Sequence, residues 1–318
     1  MARIHGTLSE LVGDTPLLEL HRIRRKWQVE ARLIAKIEYL SPAGSIKDRT
    51  AWGIIREAER SGRLQPGDLL VDVTSGNTGI GLAAIAASRG YRSKFYLRNV
   101  ISADKINILR QYGAEVVLID NNEFLVPGAL DIILQRIQDE NPGAYFTDQR
   151  ANPANAAIHA ETTGPEIWRD TDGAVDVLVG AVGTGGTISG TGRYLKGLKP
   201  GLQVVVAEPS PDSVPSAEHP YAETIEGVHK VTEVDPQGLP ANYDAGVVDA
   251  TVAISVAEAR ATAQALAREE GLLAGTSGGA VLAAALAVAR RPEHAGKTFV
   301  IVIPDSGERY LSPPVVPG

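Results

Sequence analysis

Short β-branched runs alternate along this chain with longer stretches of helical period. The runs at 33–37, 69–73, 94–97, 115–119, 175–181, 204–208 and 299–304 are rich in Val, Ile and Leu, as strands buried on both faces should be. Between them, 47–61, 79–88, 103–112, 128–138, 154–168, 186–198, 256–270 and 278–289 read as helices. This alternation predicts βαβ units and an α/β fold of open parallel sheets. The strands form two groups, one before about Thr147 and one after about Gly173. Residues 209–249 break the pattern: they are rich in Pro, Asp, Glu and Gly and carry no clear period. A loop of that length in a compact domain is commonly functional.

Composition narrows the class. The 318 residues are enough for one large domain or two ordinary ones. A net charge of -7 argues against a general nucleic-acid binder, while leaving room for local basic sites. There is no cysteine, which excludes disulfides, thiolate metal sites and a cysteine nucleophile. No metal is expected. No stretch is long and apolar enough to span a membrane, and residues 1–10 lack the apolar core of a signal peptide. We expect a cytoplasmic protein.

Five turns carry candidate chemistry. Segment 41–49, Ser-Pro-Ala-Gly-Ser-Ile-Lys-Asp-Arg, follows a strand and opens a helix, with Ser45 as expected N-cap and Asp48 three residues on. Lys47 then lies at the positive end of the helix dipole, which biases its amine toward the neutral, nucleophilic form. Segment 74–79, Thr-Ser-Gly-Asn-Thr-Gly, offers amides and hydroxyls suited to an α-carboxylate. Segment 183–187, Gly-Thr-Gly-Gly-Thr, is a glycine-rich loop opening a helix and reads as a cradle for one phosphate. A dinucleotide site fits poorly, because the third glycine of that fingerprint would fall on Ile188. Segment 275–279, Gly-Thr-Ser-Gly-Gly, precedes another helix, and 304–310, Pro-Asp-Ser-Gly-Glu-Arg-Tyr, ends a strand where open α/β sheets bind ligands.

Together with Val-Gly-Asp-Thr-Pro-Leu at 12–17, these motifs resemble the cysteine synthase and cystathionine β-synthase family, in the family's order and over about residues 8–312. The resemblance implies a fold-type II pyridoxal 5'-phosphate (PLP) enzyme: two open parallel-sheet βαβ domains with the cofactor in the cleft between them. The domains would be 1–150 and 151–318, the latter carrying the phosphate loop, with a crossover near 15–38 packing on the C-terminal one. By motif position, Lys47 resembles the Schiff-base lysine and Asn77 the partner of the cofactor's phenolic oxygen. Gly183, Thr184, Gly185, Gly186 and Thr187 resemble the phosphate loop, and Ser277 the partner of the pyridine nitrogen. Thr74, Ser75, Gly76, Thr78 and Gln149 resemble the substrate carboxylate site. A hydroxyl on the ring nitrogen, in place of a charged partner, weakens the electron sink and favours expulsion of a β-group.

The implied activity is β-replacement on an O-activated L-serine, of the O-acetylserine or O-phosphoserine class, through an aminoacrylate and with a sulfur nucleophile. Homocysteine or an amine is the alternative nucleophile, and binding of serine acetyltransferase by its C-terminal tail an alternative role. The resemblance also implies a homodimer. Because the chain ends soon after 304–311, no regulatory nucleotide-binding module is expected. The chain departs from the family at Ser41, at 98–104, and at 226–230, Glu-Gly-Val-His-Lys, where a glycine-rich stretch closes over the ligand in relatives. Gly227, His229 and Lys230 are therefore candidates for a specificity loop: the two basic residues either favour an anionic or larger substrate or are solvated loop charges.

Overall fold

The computed structural model describes residues 4–74, 76–125, 128–215 and 223–311. Among these residues, ten strands form two sheets. β1 (Leu17–Glu19), β2 (Arg32–Ile37), β7 (Val177–Ala181), β8 (Gln203–Pro209), β9 (Ala250–Ile254) and β10 (Thr298–Ile303) make the larger, in the order β1-β2-β10-β7-β8-β9. β3 (Leu69–Val73), β4 (Arg92–Arg98), β5 (Glu115–Ile119) and β6 (Tyr145–Phe146) make the smaller, in the order β5-β4-β3-β6. Every pairing is parallel except β1 with β2. The expected α/β class with parallel sheets is what the chain adopts.

The helices are α1 (His21–Lys26), α2 (Lys47–Arg60), α3 (Asn77–Arg89), α4 (Ala103–Gln111), α5 (Ala129–Glu140), α6 (Ala154–Ile158), α7 (Gly164–Asp170), α8 (Gly186–Leu198), α9 (Val256–Ala265) and α10 (Thr276–Ala289). The alternating residues of β10 explain the apolar runs. Phe299, Ile301 and Ile303 enter one core and Val300 and Val302 another, so both faces are covered. In the smaller sheet, Leu70 and Phe95 face one cluster and Val71 and Tyr96 the other.

The differences from expectation are local. β1, β6, β9 and α1 were not anticipated; the first two have three and two residues, too few to show a period. α3 and α10 begin two residues earlier than the pattern suggested, at Asn77 and Thr276, which places Thr78 and Ser277 inside first turns. The helix expected over 154–168 is α6 and α7 joined by a π-turn at His159–Thr163. Segment 209–249 holds only short 3-10 turns among its described residues after β8.

Candidate active site

β10 and β2 stay in register to Ile303 and Ile37, so the chain leaves both strands side by side. That sets segment 41–46 against 304–310. Ser45 forms a bridge with Asp305, and the Ile46 amide donates to the Pro304 carbonyl at 2.8 Å. The expected cap is corrected here: Ile46, already α-helical, precedes α2, and no side chain caps it. Ser45 is drawn to the Asp305 bridge, and its Oγ accepts from the Lys47 amide at 3.2 Å. The Asp48 carboxylate turns to the Ala43 amide instead, at 2.7 Å.

Lys47 still opens the helix. Its Nζ makes no hydrogen bond or ion pair among the described residues, unlike two other enclosed lysines. Lys36 donates to Glu166 at 2.7 Å, and Lys105 pairs with Glu226. Burial holds the Lys47 amine below its ordinary value, against the opposing pull of Asp305 and Glu38. Part of its surface stays open to solvent, so the amine is both enclosed and reachable.

Asp305 is a junction. It is buried, and its Oδ2 accepts from Asn77 Nδ2 at 2.6 Å and from the Tyr310 hydroxyl. Asn77 Oδ1 in turn accepts from Arg309 Nη1 at 2.6 Å. One amide N–H of Asn77 remains for a ligand. The Asp305 carbonyl takes the Gly275 amide at 3.1 Å, and Ala274 bridges Ser306, so α10 starts beside the same strand end. Ser277 lies in that first turn, buried, with a hydroxyl that meets no partner among the described residues. Asp305 and Arg309 belong to the 304–310 segment marked in the sequence by charge directly after a strand, which gave neither residue a role of its own.

The second cluster sits at the end of β3. Thr74 Oγ1 accepts from the Gly76 and Gly79 amides, both at 3.1 Å, and so shapes the start of α3. Thr78 donates to Gln149 Oε1 at 2.5 Å, and Gln149 Nε2 donates to the Val73 carbonyl at 3.0 Å. Thr74, Gly76, Thr78 and Gln149 are thus brought together. Ser75 lies outside the described residues.

Asn155 joins this cluster to the glycine loop. Fully buried, it donates to the Gln149 carbonyl and to Thr184 Oγ1, both at 2.8 Å. The amides of residues 183–187 find no acceptor among the described residues, which leaves a row of donors at the start of α8. The glycines are required by crowding. Gly185 has φ +86°, and a Cβ there would meet the Tyr243 backbone at 2.6 Å; one on Gly183 would meet the Gly227 carbonyl at 2.7 Å. Thr187 Oγ1 lies 3.2 Å from His159 Nε2, whose other nitrogen is 2.9 Å from Thr163 Oγ1. Burial, then the charges of Arg49 and Lys47, keep that imidazole neutral.

Segment 225–230 runs across these elements. The His229 amide donates to the Val182 carbonyl at 2.7 Å, and Glu226 pairs with Lys105 of α4. The Lys105 ammonium also sits 4.4 Å from the Tyr310 ring centre. His229 is water-accessible, yet protein crowds it. Burial first, then Arg150, Arg98 and Lys47, push its imidazole down to about 4. Lys230 instead pairs with Glu233 at 2.8 Å within its own loop.

No metal-binding cluster occurs among the described residues, and no helix there is long and apolar enough to cross a membrane. The donor set fits pyridoxal phosphate. A row of free amides and Thr184 suit its phosphate, an unpaired amine suits its aldehyde, and Asn77 and Ser277 offer polar groups for the ring.

Comparison with known proteins agrees. Residues 8–305 match the model of a family described as pyridoxal-phosphate dependent enzyme. Cysteine synthase A of Escherichia coli (strain K12) is 41% identical over 315 residues, covering 98% of this chain and 95% of that protein. An O-ureido-L-serine-bound variant of O-ureido-L-serine synthase superposes with a TM-score of 0.86 at 34% identity, covering 97% of this chain and 92% of that one. A hydrogen sulfide-producing enzyme from Fusobacterium nucleatum also gives a TM-score of 0.86, at 33% identity, covering 97% and 100%.

Proposed function

From the premise that this chain belongs to the pyridoxal-phosphate dependent enzymes, and within them to the cysteine synthase family, we propose that it replaces the β-substituent of an O-activated L-serine, with a sulfur nucleophile as the first choice. The observation that carries the reading is the Lys47 amine: enclosed, unpaired, biased toward neutrality, and beside the junction built on Asp305 and Asn77.

When bound, pyridoxal phosphate supplies an aldehyde that condenses with amines and a ring that draws electrons from the reacting Cα. Lys47 would hold the cofactor through Nζ, and its free amine would be placed to take the substrate Cα proton and return it. The amides and hydroxyls of Gly183, Thr184, Gly185, Gly186 and Thr187 hold the phosphate. Asn77 would offer its remaining N–H to the ring's hydroxyl oxygen, and Ser277 would offer the ring nitrogen an uncharged hydroxyl partner. Thr74, Ser75, Gly76, Thr78 and Gln149 hold the α-carboxylate, fixing which Cα bond faces Lys47. The leaving group departs from Cβ with its bonding pair, and the nucleophile supplies the pair for the new bond.

The reading extends to two domains, 1–150 and 151–318, and to a cytoplasmic homodimer. It includes a serine acetyltransferase tail as a partner, for which a pull-down competed by O-acetylserine is the measurement.

The purified protein should absorb in the visible from bound cofactor and convert O-acetylserine and sulfide to cysteine and acetate. Lys47→Ala should lose both properties. No visible band, or one unchanged in Lys47→Ala, sinks the proposal.

A further inference from the structure

Asp305 and Arg309 carry opposite charges and are both buried, yet they form no ion pair with each other among the described residues. Both end instead on the side chain of Asn77, the first residue of α3. Asp305 Oδ2 accepts from Asn77 Nδ2, and Arg309 Nη1 donates to Asn77 Oδ1, each at 2.6 Å. A carboxylate only accepts and a guanidinium only donates, so the carboxamide has a single orientation. Half a turn would set oxygen against oxygen and nitrogen against nitrogen.

Tethering the chain does not require these side chains. Main-chain contacts hold the strand end: Ser45 bridges Asp305, the Ile46 amide donates to the Pro304 carbonyl at 2.8 Å, and the Gly275 amide donates to the Asp305 carbonyl at 3.1 Å. Asp305 is thereby fixed to the segments that open α2, with Lys47, and α10, with Ser277. Its side chain adds the start of α3. The carboxylate is satisfied on one side only. Oδ2 serves Asn77 and Tyr310, while Oδ1 is buried against Gly275 with no hydrogen-bond partner among the described residues. A buried oxygen left bare costs stability, so the fold alone does not account for the acid. Arg309 is seated as closely. Its Nη2 donates to the Ala43 carbonyl and packs on Gly44, where a Cβ would meet it at 2.6 Å.

We propose that Asp305 and Arg309 are positioning residues that clamp the Asn77 carboxamide, so that its one free N–H meets the ring hydroxyl oxygen of bound pyridoxal phosphate. The inference rests on the roles given above to Lys47 and Asn77, and adds the groups that act through Asn77. A donor on that oxygen favours its ionised form. The proton then stays on the Schiff-base nitrogen, and the cofactor absorbs in the visible. With the donor misaligned the proton moves to the oxygen, and absorption moves to the near ultraviolet.

Spectra of holoenzyme, normalised to bound cofactor, test the clamp. Asp305→Ala and Arg309→Gln should each lower the visible to near-ultraviolet ratio by roughly 2- to 10-fold, the span of one lost hydrogen bond. Asn77→Ala should lower it likewise. All three act through one N–H, so Asp305→Ala placed in the Asn77→Ala background should change the ratio by less than about twofold. Asp305→Asn keeps an oxygen for Nδ2 and should recover part of the fall. Should Asp305→Ala fail to fold, Arg309→Gln, alone and with Asn77→Ala, carries the same test from the other side of the amide. Unaltered ratios in the single variants, or a fall in the double variant equal to the product of the singles, overturn the clamp and leave the cofactor reading standing. A wild-type protein with no visible band, or with one unchanged in Lys47→Ala, overturns that reading itself.

Discussion

A lysine amine stays reactive only where no carboxylate claims it. Lys36 and Lys105 are more deeply buried than Lys47, but each is committed to a glutamate. Lys47 is distinguished by what it lacks, and the motif around it cannot reveal that. Asp72 shows the complementary case of an acid. It is buried under the carboxylate turn, accepting from Thr147 Oγ1 at 2.5 Å, the Val73 amide at 2.7 Å and the Gln149 amide at 3.4 Å. Burial outweighs those bonds and pushes its carboxyl up to about 7 from an ordinary 3.8. The folded protein therefore keeps a proton that the unfolded chain sheds, and this contribution to stability falls as pH rises between those values. The slope is ~1.4 kcal/mol per pH unit at most. Asp72→Asn should flatten the loss, so urea midpoints at pH 5 and pH 8 should differ less in the variant than in the wild type. Parallel profiles would refute the assignment.

At the scale of elements, the alternation of strand and helix was plain in the sequence because burial on both faces forces continuous apolar runs. Their mutual anchoring was not. Arg49, two residues beyond Lys47, donates to Glu38 at 2.8 Å and to Glu166 at 2.6 Å, and Lys36 meets the same Glu166. This buried network ties the start of α2 to the turn after β2 and to α7. Burial alone would raise the Glu166 carboxyl, but Arg49 and Lys36 override it and hold it at about 2. Its stabilisation is complete above the ordinary 4.5 and is lost as pH falls toward 2. Glu166→Gln leaves two buried cations with one carboxylate, and should cost about 3–5 kcal/mol in urea unfolding at pH 7. It should also remove part of the acid sensitivity between pH 4.5 and 2. A change under about 1 kcal/mol, the range of a surface pair, would show that the network is not under strain when broken.

For the whole molecule, the decisive feature is segment 225–230, which reaches from Val182, beyond the larger sheet, to Lys105, beside the smaller one. The Lys105 stem also packs against Gly76, where a Cβ would meet its Cδ at 2.6 Å. One side chain thus touches both the carboxylate turn and the spanning loop. Lys105→Met keeps the stem and removes the ion pair. The His229 amide should then exchange hydrogen about tenfold faster, while the amides of β10 stay protected. The KM for the amino-acid donor should rise more than kcat falls. Unaltered exchange at His229 would show that the latch does not hold the loop.

The sequence by itself determined the α/β class, the parallel sheets, the family and its cofactor. Local period reports which faces are buried, and the motif turns carry their chemistry within a few residues. Only the tertiary structure decided which groups meet. Asn77 bonds Asp305 across 228 positions and Thr78 bonds Gln149 across 71. Sheet register sets those meetings: the in-register pairing of β2 with β10 brings 41–46 beside 304–310. Single-chain periodicity does not encode register between strands this far apart.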